Sequence, residues 1–278
     1  MQKPFSEDQA HGMLVGLAVG DALGMAVAGQ ARGCFALVTG LGAGGPAEPR
    51  AAQWSGAVSM ALCLAQMLRS ANGWDAEDAM KRFVNWRDFG YLAAPGRHAD
   101  PDKETRAALL AFEASGNPYS GGAETEGSAG IVRLAPVVLG YGAVKESAMA
   151  VAQLQSRLTH ASPICQRAAA NLAEVLVTGE HGRLPRPDAP PGAVTGHVRD
   201  TLHAVFWAMA QGRTFRDVVL AAVNLGGDAC ATGAVAGQLA GRVWGYEGIP
   251  GDWLEMLWDH DKILVTADDL YAMRPIDQ

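Results

Sequence analysis

Two runs of glycine at four-residue spacing constrain this chain more than any other feature. Gly12, Gly16, Gly20 and Gly24 form the first run, and Gly233, Gly237, Gly241 and Gly245 form the second. Residues four apart share one face of an α-helix, so each run draws a stripe without side chains. A glycine inside a helix costs about 1 kcal/mol relative to alanine, so four per helix need compensation. Close packing of backbone against backbone supplies it. The same stripe also lets a ligand approach the helix axis.

The remaining pattern is helical too. Ser6-Glu7-Asp8-Gln9 is a capping box that opens a helix predicted to reach about Val27. Apolar spacing predicts helices over 58–68, from Asp75 through Trp86, and over 103–114, 130–140 and 146–157. Further helices are expected over 163–178, with Ser162 as N-cap and Pro163 in the first turn, and over 197–211, 214–223, 230–245 and 252–273. No stretch shows the two-residue alternation of a strand. The expected fold is all-α in a single domain spanning 1–278, and 49% hydrophobic residues suffice for its core. Long loops at 29–53, 115–129 and 180–195 are the natural carriers of function.

Charge and cysteine content exclude several classes. Lys and Arg number 22 against 29 Asp and Glu, a net charge of −7, which speaks against binding nucleic acid. Cys34, Cys63, Cys165 and Cys230 have no C-x-x-C spacing, so a zinc ribbon or a disulfide framework is not expected. The apolar run from Met13 to Ala28 is interrupted by Asp21 and preceded by Glu7 and Asp8, unlike a signal peptide or a membrane span. A cytoplasmic setting is the natural expectation, and the oligomeric state is left open.

Several ordered segments carry a family resemblance. Gly16-Leu-Ala-Val-Gly-Asp-Ala-Leu-Gly24 resembles the opening helix of the ADP-ribosylglycohydrolase family. So do Gly44-Gly45-Pro46 before Trp54, Ser59 to Leu62, Gly127 to Pro136, Leu158-Thr-His160, Asn224 to Asp228, Thr232 to Gly241 and Ile249 to Trp253. The likeness runs from about residue 10 to 260. It implies an all-helical domain in which two divalent ions, usually Mg²⁺, help cleave the glycosidic bond of ADP-ribose. It also implies ligand contacts from Asp21, Ser128, Ala129, Gly130, Arg133, His160, Gly226, Gly227 and Cys230.

The metal segments depart from the family pattern. Where the family has Thr-Asp-Asp, this chain has Ser55-Gly56-Ala57, and where it has Asp-x-Asp-Thr, this chain has Asp228-Ala229-Cys230-Ala231. Of the six ligand positions only Ser55 and Asp228 keep an oxygen-bearing side chain. Each Mg²⁺ wants about six oxygens, so the two-metal site is expected to be absent, with no cofactor in its place.

Three readings follow. The first is a pseudoenzyme that binds ADP-ribose-like nucleotides, an ADP-ribosylated protein or a protein partner. The second is a metal-independent hydrolase of a ribosyl bond, with Asp100 and Asp228 as its two carboxylates. Asp100 alternatively caps the helix near Lys103. In this reading Cys230 at a helix start could serve as a nucleophile with His160 as base, or simply fill space. The third is an interaction or immunity-type module presenting loops 29–53 and 180–195.

Overall fold

The computed structural model describes residues 3–42, 52–94 and 101–273. Among these residues there are thirteen α-helices, one 3₁₀ turn and no strand beyond isolated bridges. Among the described residues no helix is long and apolar enough to cross a membrane.

Helices α1 (Glu7–Gly24) and α11 (Ala229–Trp244) form the centre. They run antiparallel, and the two glycine stripes close on each other. A Cβ at Gly16 would collide with the carbonyl oxygen of Gly237, and one at Gly20 with that of Gly233; Gly12 faces Gly241 in the same way. The stripes therefore serve packing, the first of the two uses that the spacing allows. Almost every residue of α1 from Ala10 onward is buried, as expected for a helix apolar all round. The outermost glycines have other partners: Gly24 meets Ala229, and Gly245 lies against Asp8 with φ of 70°.

Around this pair lie α2 (Gly56–Ala71), α3 (Ala76–Phe89), α4 (Lys103–Ser115), α5 (Ala129–Val132) and α6 (Ala135–Tyr141). Then follow α7 (Lys145–Arg157), α8 (Pro163–Thr178), α9 (Val198–Gln211), α10 (Phe215–Val223), α12 (Gly251–Met256) and α13 (His260–Ala272). The capping box at Ser6 and Gln9 and the N-caps Asp75 and Ser162 are formed as the local sequence dictates.

Three helix expectations need correction. The first helix stops at Gly24, because Gly29 N–H donates to Gly227 O and Gly227 N–H to Gln30 O, pulling the chain aside. The helix expected over 130–140 is broken into α5 and α6 at Pro136, whose ring cannot follow a continuous turn. Gln238 of α11 fills the break: it accepts from Ala135 N–H at 2.8 Å and donates to Val132 O at 3.1 Å. The helix expected over 252–273 is split into α12 and α13, because Ala52 bridges to Leu257 and Asp259 turns left-handed with φ of 48°. A 3₁₀ turn, His181–Arg183, lies in the loop expected at 180–195.

Candidate functional site

A cleft of about 610 Å³ opens where several helices begin. The N-caps of α2, α4, α9 and α11, namely Ser55, Asp102, His197 and Asp228, all line it. Helix N-termini carry partial positive charge, so four of them facing one space favour anionic groups there. Among the described lining residues there is no Lys or Arg, while Asp102, Glu104, Glu126 and Asp228 contribute carboxylates.

The 116–128 loop forms one wall and is held at two points. Gly122 bridges to His160, with Ala161 N–H donating to Gly122 O at 3.1 Å. Gly127 bridges to His197, with Val198 N–H donating to Glu126 O at 2.8 Å and Ser128 N–H to Gly196 O at 3.0 Å. The His197 ring meets the Glu126 carboxylate at 2.6 Å on the rim. Behind the loop, the buried Cys165 thiol lies 3.3 Å from Gly127 O.

Asp228 carries a carboxylate at the start of α11. Ser128 Oγ lies 3.5 Å from its Oδ2, and its backbone N–H donates to Val194 O. Burial pushes its carboxyl above the usual range, and the charge of Asp102 across the cleft adds to this. His160 is buried, with Nδ1 2.9 Å from Thr159 Oγ1. Burial brings its imidazole down to about 4, with Asp102 pulling in the other direction. The ring is therefore neutral at physiological pH.

The cleft brings together Ser55, Gly56, Ala57, Ser128, Ala129, His160, Asp228, Cys230 and Ala231 from the positions singled out in the sequence. The Cys230 thiol packs 3.3 Å from Met25 Sδ. Asp100 lies outside the described residues. The cap of α4 is Asp102, whose Oδ1 accepts from Thr105 N–H at 2.8 Å and whose Oδ2 accepts from Thr105 Oγ1 at 2.6 Å.

Other expected ligand contacts point elsewhere. Arg133 is wholly buried, stacked 4.8 Å from the Phe83 ring, and it donates to Gln155 Oε1, Gln155 O and Thr159 Oγ1. It braces the core instead of reaching a phosphate. Asp21 is buried off the cleft, bound to Ser55. Gly130 is wedged against Ser156, where a Cβ would come within 2.6 Å of Oγ. Gly226 and Gly227 have φ of 70° and 61° and form a turn clasped by Gln30 and Val194. They shape the chain before Asp228 without lining the cleft.

The sequence reading missed Asp102, Glu104, Glu126 and His197 as cleft residues. The signal available was the placement of Asp102 just before one predicted helix and of His197 at the start of another. The reading also missed Trp86, which lines the cleft from α3. A Cβ at Gly56 would come within 2.6 Å of Trp86 Cζ2.

Comparison with known proteins places this geometry. A sequence profile described as ADP-ribosylglycohydrolase matches residues 2–185 and 169–277. The ADP-ribosylarginine hydrolase Tri1 of Serratia proteamaculans (strain 568) is 32% identical over 97% of this chain and 81% of its own. The ADP-ribosyl-[dinitrogen reductase] glycohydrolase of Rhodospirillum rubrum is 29% identical, covering 92% of both chains. A solved structure described as an ADP-ribosylglycohydrolase-related protein complex superposes with a TM-score of 0.82 at 33% identity, covering 96% of this chain and 98% of the other.

Proposed function

The chain belongs to the ADP-ribosylglycohydrolase family, and from that premise we propose that its cleft binds an ADP-ribosyl group without the family's paired Mg²⁺ ions. The ligand is free ADP-ribose or an ADP-ribosyl group on a protein side chain, the kind of substrate named for its relatives. It is held for recognition, not turned over by two-metal hydrolysis.

The contact between Gly56 and Trp86 carries this reading. Gly56 stands where the family has an aspartate, and the buried Trp86 ring leaves no room for a Cβ there. Ala57 and Ala231 offer no donor, Cys230 packs on Met25, and Ser55 is bound to Asp21. Asp228 is the one carboxylate at the six positions. That set does not fit two ions that each want about six oxygens. Binding of a phosphate-bearing ligand is supported by the four helix N-termini facing the cleft.

A second reading is favoured by the pairing of Asp228 with Asp102. Burial keeps Asp228 toward its protonated form, while Asp102 faces it from α4. An acid and a carboxylate flanking one bond are the minimum for metal-free glycoside hydrolysis. In that case turnover of an ADP-ribosylated arginine would need Asp228 and no Mg²⁺.

Crystals soaked with ADP-ribose and Mn²⁺ test the first reading. Nucleotide density in the cleft with no ion pair between Ser55 and Asp228 is expected. Two ions at that position would overturn it.

A further inference from the structure

One face of the cleft holds a donor set apart from the six family positions. One ring nitrogen of His160 and one carboxylate oxygen from each of Asp102 and Glu104 all lie within 4.8 Å of one another. The acids come from the start of α4, and the histidine from the turn before α8.

His160 supplies the independent observation. It is 1% exposed yet lines the cleft. Its Nδ1 is used by Thr159 Oγ1, and that oxygen also accepts from Arg133 at 2.8 Å. Its Nε2 sits over Gly127, where a Cβ would come within 2.5 Å. Thr159 Oγ1 is the hydrogen-bond partner the ring has among the described residues, and it engages Nδ1. The ring of a buried histidine and two carboxylates thus share one space, and no Lys or Arg lines it among the described residues.

We propose that Asp102, Glu104 and His160 form a site for a single divalent first-row transition ion such as Zn²⁺ or Mn²⁺. The donor chemistry selects the ion. One imidazole with two carboxylates suits this borderline class, whereas Mg²⁺ takes oxygen ligands and keeps its water. Ligand atoms around such an ion sit roughly 3 Å apart, a spacing that rotation of the exposed Asp102 and half-buried Glu104 side chains can reach. Each Asp102 oxygen accepts one bond from Thr105 and keeps a lone pair for the ion. In the tautomer with the proton on Nδ1, that N–H donates to Thr159 Oγ1 and the Nε2 lone pair is left for the metal. Arg133 behind it holds the threonine oxygen in place. The three remaining coordination positions of an octahedral ion are open to water or ligand.

A second cluster, Glu7, His11 and Asp268, serves as the internal control. There the His11 ring is already paired with Asp268 at 2.5 Å.

Zn²⁺ soaked into crystals of the full chain, with anomalous data at the zinc edge, locates the ion directly. One peak among Asp102, Glu104 and His160 is expected. Calorimetric titration with ZnCl₂ should weaken about tenfold or more in Glu104→Gln and remain unchanged in His11→Asn. The half-buried Glu104 is the informative variant, because His160→Asn also disturbs the core around Thr159. No peak at this position, or an affinity indifferent to Glu104→Gln, overturns the proposal. An ion pair between Ser55 and Asp228 would count against the functional reading alone, so the two can fail separately.

Discussion

The carboxylate of Asp21 accepts two hydrogen bonds from Ser55, one from its backbone N–H and one from its hydroxyl, each at 2.6 Å. The contact ties the centre of the fold to the cleft. Asp21 sits in the last turns of α1, and Ser55 caps α2, its Oγ also accepting from Ala57 N–H. Ser55 is thus spent on holding a helix start. Asp21→Ala should remove the acceptor of both half-buried Ser55 donors and cost about 1–3 kcal/mol, read as a loss in chemical denaturation. A variant as stable as the parent would contradict this role.

The glycine zipper predicts sharp steric asymmetry. Gly20→Ala places a methyl on the Gly233 carbonyl, where neither backbone can yield. A loss of at least about 3 kcal/mol is expected, or about 10 °C in Tm. Gly182→Ala, with nothing within 4 Å of the added carbon, should change stability by less than about 0.5 kcal/mol. Thermal unfolding of both variants checks the contrast.

Acids placed at Gly56, Ala57 and Cys230 should not create a Mg²⁺ site. Gly56→Asp drives a side chain into Trp86, so the triple variant Gly56→Asp, Ala57→Asp, Cys230→Asp should unfold earlier than the parent and gain no stability from Mg²⁺. Adding Trp86→Ala removes the obstacle. A Mg²⁺-dependent rise in Tm in the triple variant, with Trp86 intact, would contradict the steric argument.

Acid sensitivity follows from His160. Its imidazole titrates near 4 in the folded chain because burial disfavours the charged form, against about 6.5 when unfolded. Folding is thus favoured fully above pH ~6.5, and this contribution is lost as pH falls from there toward 4, because the unfolded chain binds the proton first. The loss is on the order of 3 kcal/mol. In metal-free protein, His160→Gln should flatten the stability curve between pH 4 and 6.5, measured by denaturant titration at each pH. An unchanged slope would contradict it.

Local features were legible in the sequence where their causes are local. Ser6 with Gln9, Asp75, and Ser162 before Pro163 marked helix starts that the structure forms. The glycine spacing announced two stripes, but spacing alone does not name a partner, and only the fold shows each stripe closing on the other. Breaks at Pro136 and Asp259 depend on Gln238 and Ala52, which lie far away in sequence. The site was half legible for the same reason. Motif positions led to Ser55, Ser128, His160 and Asp228, whereas Trp86 over Gly56 and Asp102 opposite Asp228 are products of helix packing. Arg133 misled because a cation in a loop motif reads as a phosphate ligand, while its hydrogen bonds to Gln155 and Thr159 lie in the core.

Calorimetric titration of ADP-ribose into the protein, in Mg²⁺ buffer and in Mg²⁺-free buffer, tests the central claim most directly. The account predicts one site with the same affinity in both, and no release of ADP-ribose from an ADP-ribosylated arginine substrate on adding Mg²⁺. Binding that requires Mg²⁺, or turnover that starts when it is added, would contradict it.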